Sequence, residues 1–449
     1  MKFDSELRDL VAACEADIRP RFRALEDVSE RNLAKVLDAF RENRLSDTHF
    51  AWATGYGYDD AGREVTERIF AQVFGTEAAL VRTQIVNGTH AIALCFSGLL
   101  RPGDKLLYCT GAPYDTLRSV VGIDAQKTAT GTRADAPANG SDHDCDKALN
   151  QGSLADFGIG YAQADLLPDG GFDFAAIGAA LEDPAVKMAG IQRATGYSER
   201  PAVTLGRVAE WIRFVRARRP DVILMADNCY GEFLEAMEPT DAALSGGVDI
   251  MAGSLIKNPG GGLALSGGYV AGRRPYVEQV AYRLTCPGIG GECGLTFGQT
   301  RTILQGLFLA PRTVTDAVKG AILCGRAFER LGYSVFPGTD DPRSDIVQTI
   351  RLGNAEALVC FCEGIMAASP VDSFVTPVPW AMPGYEDEVV MASGAFVTGS
   401  SIELSADGPL RPPYNVYFQG GLTYEHAKIG VLSALQRLND RGLLPPLSL

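Results

Sequence analysis

Lys257 is the one cation in "DIMAGSLIKNPGGGLALSGG" (249–268), directly after an apolar run that reads as a buried strand end. Lysine is rarely buried without a partner. The glycines just beyond it let the backbone approach something closely or take up positive φ. A desolvated lysine at such a place has a lowered pKa and a nucleophilic amine, which is what Schiff-base chemistry requires. The plainer alternative is a lysine that snorkels to water beside a flexible turn.

Three other stretches give that lysine company. "VILMAD" (222–227) closes an apolar run on Asp227, and ligands of open α/β sheets bind beyond the carboxyl ends of strands. A carboxylate there serves as the partner of a pyridinium nitrogen, or else Asp227 or Asn228 caps a following helix. "QIVNGTHAIALCF" (84–96) places Gly88 and Thr89 at a helix start, where free amides bind phosphate; an ordinary cap at Asn87 or Thr89 is the alternative. In "GAPYDTL" (111–117), Tyr114 can cover a flat ring or simply pack. Phosphate cradle, stacking aromatic, acidic pyridine partner and amine follow one another on successive elements. Together they form a site for pyridoxal 5'-phosphate.

The elements that must position these residues alternate. Apolar runs at 78–82, 105–109, 187–192, 222–227, 249–254 and 267–272 are separated by helical stretches such as 203–218. This alternation predicts an α/β sheet, mostly parallel. Residues 1–45 read as helical, and "VTERIFAQVFG" (65–75) as an amphipathic helix closed by Gly75. Beyond about 300 the texture changes to a long helix, short strands at "SVFPG" and "DIVQTIRLG", and a last helix over 423–440. The expected division is a helical segment (1–50), a large α/β domain (51–300) and a small C-terminal α+β domain (301–449). The tract 125–150 is polar and small-residued and reads as an inserted loop. Its "DHDCD" (142–146) is an acidic run before it is a metal site.

Composition narrows the partners. A net charge of −14 with no basic patch argues against nucleic acid. No run approaches a membrane span and the N-terminus lacks a signal-peptide core. Ten scattered cysteines without a CxxC pair read as reduced thiols of a cytoplasmic protein.

The motifs "TGYGYDDAGRE", "VRTQIVNGTHAIA", "APYDTL", "GSLADFGIGY", "IQRATGYSERP", "ADNCYGEF", "GSLIKNPGGGLA" and "SSIELSADGPLRPPY…YFQGGLTYEHAKIG" cover about 50 to 430. With them the chain resembles the fold-type I pyridoxal phosphate enzymes of the cystathionine β-lyase and methionine γ-lyase group. Within that group it is similar to the aluminium resistance, methionine γ-lyase-related branch. The resemblance implies a carbon–sulfur lyase acting on a sulfur-containing amino acid, in a homodimer or homotetramer with shared sites. It gives Lys257 as the cofactor-bearing lysine, Asp227 as the pyridine partner, Tyr114 as the ring-stacking residue, and Gly88, Thr89 and Ser254 as phosphate contacts. Tyr56, Tyr58 and Arg63 match residues that reach a neighbouring subunit's phosphate site. One departure stands out: the last strand, "NVYFQGGL", carries Tyr417 and no arginine for a substrate carboxylate, and Arg411 is the substitute. The same machinery also serves aminotransferases and aldolases, or a cofactor-binding stress protein with little turnover.

Overall fold

In the computed structural model, residues 1–123, 152–382 and 387–446 are described. Seven strands form the larger sheet: β1 (Ala78–Arg82), β2 (Lys105–Tyr108), β3 (Gly160–Gln163), β4 (Val186–Gln192), β5 (Ile223–Asp227), β6 (Ile250–Ser254) and β7 (Gly268–Gly272). Their spatial order is β1-β7-β6-β5-β4-β2-β3. The pairs β2–β3, β2–β4, β4–β5 and β5–β6 are parallel, and β7 runs antiparallel to both its neighbours, β1 and β6. The apolar runs of the sequence are these strands. They are apolar on both faces, as expected when helices cover a parallel sheet from each side. Strand β3 was not foreseen, because "GYAQ" is short and partly exposed.

A second sheet of five strands follows in sequence: β8 (Val335–Phe336), β9 (Val347–Arg351), β10 (Val389–Ala392), β11 (Ser405–Pro409) and β12 (Asn415–Gln419), in the order β10-β11-β12-β9-β8 and antiparallel throughout. Helix Ala355–Ala367 packs on it, and helix Tyr424–Asp440 packs on that helix. This gives the expected mixed α/β architecture, with a large mostly parallel sheet and a C-terminal antiparallel unit.

Helix Thr300–Arg330 packs on β8, β9 and β12 of the second sheet and on the turn Asn258–Gly260, and is buried along most of its length. It packs against the first helix, Ser5–Glu42, and against helix Tyr424–Asp440. Helix Ala61–Val73 begins at an Asp60 cap rather than at Val65, and the chain turns at Gly75 with φ +65. The nine cysteines among the described residues are all free; Cys145, like the "DHDCD" run, lies outside them. Among the described residues no metal-holding cluster occurs, and no helix is long and apolar enough to cross a membrane.

Candidate active site

Strands β5 and β6 are parallel neighbours and end side by side, on Asp227 and Ser254. Lys257 follows three residues after Ser254, at the entry to a short 3-10 turn, Asn258–Gly260. The turn after β1 leads into helix Gly88–Leu99, and the turn after β2 leads to Tyr114, which precedes helix Asp115–Val121. These ends meet at a cavity of about 930 Å³, lined by Lys257, Asp227, Ser254, Tyr114, Gly88 and Thr89. Six of the predicted residues, spread over 170 positions of sequence, therefore share one space. Arg63, Tyr56, Tyr58 and Arg411 are not part of its lining.

The phosphate end is made of neutral donors. Asn87 caps the helix, its side chain accepting from the His90 amide at 2.8 Å. The amides of Gly88 and Thr89 are first-turn donors with no acceptor inside the helix. Ser254 Oγ is buried and has no hydrogen-bond partner. A Cβ at position 88 would lie 2.9 Å from Cys229 Sγ and 3.3 Å from Ser254 Cβ, so glycine keeps this cradle open. A buried orphan hydroxyl beside open helix amides is the donor set a phosphate needs. His90 takes no part; its Nδ1 accepts from the Val86 amide.

Asp227 is 4% exposed. It accepts from the Cys229 amide at 3.1 Å, and no helix follows, so the capping alternative lapses. Burial pushes its carboxyl up to about 6; the Cys229 hydrogen bonds and the field of Lys257 only partly oppose this. A carboxylate so placed gains by facing a protonated pyridine nitrogen.

Lys257 Nζ stands 3.6 Å above the ring of Tyr230. Tyr230 is held from several sides. Its backbone is left-handed (φ 69), its carbonyl accepts from Asn258 Nδ2 at 2.9 Å, and its hydroxyl meets Ser401 Oγ at 2.8 Å. A non-glycine residue in that conformation is strained by roughly 1–3 kcal/mol, a cost that collects at functional sites. The expected lowering of the lysine pKa is not what the site produces. Burial does disfavour the ammonium, but the acidic groups of Tyr230, Cys229 and Asp227 outweigh it and the net shift is upward. A cationic ring facing Asp227 would remove part of that pull.

Gly261 and Gly262 take up positive φ (+53 and +80), as the sequence suggested, and the expected close approach is made at Gly260 and Gly261. A Cβ on Gly261 would lie 2.3 Å from the Gly306 carbonyl, and one on Gly306 would lie 2.1 Å from the Gly260 carbonyl. The close approach they permit is to helix Thr300–Arg330. It locks the lysine-bearing turn onto the buried spine of the molecule.

Two arginines depart from expectation. Arg63 is 2% exposed, and its guanidinium donates to the carbonyls of Gly57 (2.6 Å), Gly294 (3.2 Å) and Glu292 (3.1 Å) of its own chain. It pins the tyrosine loop to the 292–294 segment. Tyr56 and Tyr58 remain 74% and 60% exposed, their rings 5.5 Å apart. Arg411 pairs with Asp387 at 2.7 Å. Among the described lining residues Lys257 is the only cation. Residues not foreseen are Gln192, whose Oε1 accepts from the Tyr114 amide at 2.9 Å, and Tyr197, Tyr230 and Asp407.

Comparison with known proteins agrees with this geometry. The methionine gamma-lyase family model matches residues 7–135 and 145–439. Protein YnbB of Bacillus subtilis (strain 168) is 47% identical over 438 residues, 98% of each chain. The structure of a carbon-sulfur lyase involved in aluminum resistance from Clostridium novyi NT is similar with a TM-score of 0.87 at 46% identity, over 97% of this chain and 96% of that one. The pyridoxal-5'-phosphate dependent protein YhfS from Escherichia coli shares the fold alone, with a TM-score of 0.56 and 15% identity over 93% and 97% of the two chains. Pyridoxal 5'-phosphate is the cofactor of the group, and the cradle, carboxylate and amine described above fit it. Matched over nearly its whole length, the chain belongs to the methionine gamma-lyase family.

Proposed function

We propose that the protein is a pyridoxal phosphate-dependent carbon–sulfur lyase that releases a thiol from a sulfur-containing amino acid. The observation that carries this reading is the convergence of Lys257, Asp227 and the unpartnered Ser254 hydroxyl on one cavity. In it, Gly88, Thr89 and Ser254 bind the phosphate, Tyr114 covers the ring, and Asp227 keeps the ring nitrogen protonated. When bound, the cofactor supplies an electron sink that makes the substrate's α-proton acidic. Lys257 is the only amine among the described lining residues and serves as the base at the substrate α-carbon. Loss of the α-proton and cleavage of the carbon–sulfur bond expel the thiol, and water then frees the 2-oxo acid and ammonia. The name of the Clostridium novyi relative supports the carbon–sulfur class.

The active unit in this reading is a homo-oligomer. Tyr56 and Tyr58 are large, exposed and fixed in place by Arg63 within the chain, which suits contact with a second copy. The test is to incubate the purified, cofactor-loaded protein with S-alkyl cysteines, cystathionine and methionine and to assay thiol and 2-oxo acid. Equal amounts of both support the lyase. Oxo acid that appears only with an added amino acceptor makes it an aminotransferase instead. Retro-aldol cleavage of hydroxy amino acids without thiol release makes it an aldolase.

A further inference from the structure

The cavity has two unlike walls. One carries Lys257, Asp227 and Ser254 on the larger sheet; the other comes from the smaller sheet, where Asp407 of β11 pairs in register with Tyr417 of β12. Asp407 is 6% exposed. One of its oxygens accepts from the Tyr197 hydroxyl, and the other lies 3.4 Å from Gln419 Nε2. Tyr197 is itself fixed, its ring 4.6 Å from that of Tyr417 and its carbonyl accepting from the Tyr417 hydroxyl at 3.0 Å. Burial pushes the Asp407 carboxyl up to about 6, with Tyr197 and Lys257 drawing it back. Both its hydrogen-bond donors are neutral. Asp372 adds a second carboxylate to the lining, and Lys257 is the only cation among the described lining residues.

A buried carboxylate that no cation hydrogen-bonds is unfavourable and is completed by one. A substrate whose α-amine is engaged at Lys257 presents its far end to the opposite wall. The geometry points to Asp407 as the residue that selects the substrate side chain, favouring sulfur amino acids with an ammonium at the far end and rejecting those with a carboxylate there. This rests on the lyase reading for the nature of the substrate, but it concerns binding and is separable from turnover.

Three probes share one α-amino acid and differ only at the far end: S-(2-aminoethyl)-L-cysteine, S-ethyl-L-cysteine and S-carboxymethyl-L-cysteine. Their affinities are measured by calorimetry on borohydride-reduced, cofactor-loaded protein, and thiol release is measured on the unreduced protein. The aminoethyl probe binds about a hundredfold more tightly than the carboxymethyl probe, with the ethyl probe between, since like-charge juxtaposition in a dry site is strongly unfavourable. Asp407→Asn brings the two charged probes within about tenfold of each other, while Tyr197→Phe, which leaves the carboxylate in place, keeps the order. Equal binding of the charged probes by the unmutated protein, no binding of any probe, or a ratio that survives Asp407→Asn overturns the inference. Cation-selective binding without thiol release leaves it standing and removes the lyase reading. Thiol release without charge preference does the reverse.

Discussion

Ser254→Ala moves two observables in opposite directions. The Ser254 hydroxyl is buried and bonds to no other protein group. A buried unsatisfied polar group costs about 1–3 kcal/mol, so its removal leaves stability unchanged or raises it by up to that amount. With a phosphate in the cradle the same hydroxyl donates to a charged acceptor, a bond worth about 1.5–3 kcal/mol. Its loss weakens cofactor binding roughly 10- to 150-fold. The two measurements are thermal unfolding of apoprotein and titration of that apoprotein with pyridoxal 5'-phosphate, with inorganic phosphate as a second probe. Both ligands weaken together if Ser254 touches the phosphate. An apoprotein destabilised by more than about 1 kcal/mol, with unchanged affinity for both ligands, would mean the hydroxyl supports the fold, and the cradle argument fails.

Three further substitutions probe the surroundings. Asp227→Asn lowers turnover about a hundredfold or more, because a neutral amide cannot hold the ring nitrogen protonated; a near-normal kcat refutes that role. Arg63→Ala removes three charge-assisted bonds to carbonyls and loosens the tyrosine loop. It should cost the chain roughly 3–5 kcal/mol in denaturant unfolding, and a loss under about 1 kcal/mol would show that the guanidinium is not a structural pin. Glu232 accepts from the Tyr269 hydroxyl at 2.7 Å, and burial raises its carboxyl to about 8. Its folded pKa lies above the unfolded value, so its contribution is complete below about pH 4.5 and is lost as pH rises toward 8, by on the order of 3 kcal/mol at pH 7. Glu232→Gln flattens that decline, and melting curves from pH 5 to 8 that run parallel in both proteins would contradict it.

How much of this could be read in the sequence follows from where each residue stands. Lys257, Asp227 and Ser254 lie at or just past the ends of apolar strands, and parallel strands bring their carboxyl ends together whatever lies between them. Gly88 and Thr89 were legible because a helix start has unpaired amides by geometry. Tyr197 and Asp407 meet across 210 residues, and no local pattern announces a pairing between two sheets. Tyr230 owes its role to a left-handed backbone, which a tyrosine gives no reason to expect. Arg63 reads as a phosphate contact in the sequence; within its own chain its guanidinium meets three carbonyls, a choice of acceptor that only the fold decides. Helix Ala355–Ala367 escaped notice because "ALVCFCEGIMA" is nearly apolar all round and lacks an amphipathic period. The glycines after Lys257 were rightly read as permitting a close approach, but the approaching group is the Gly306 backbone.

The central claim is that Lys257 carries the cofactor. The most direct measurement is to add pyridoxal 5'-phosphate to purified protein, record the visible spectrum, reduce with borohydride and map the modified peptide. The expected result is a visible band that borohydride abolishes, and a single label on Lys257 in "SLIKNPGGG". A label on another lysine, or no visible band at saturating cofactor, would contradict it.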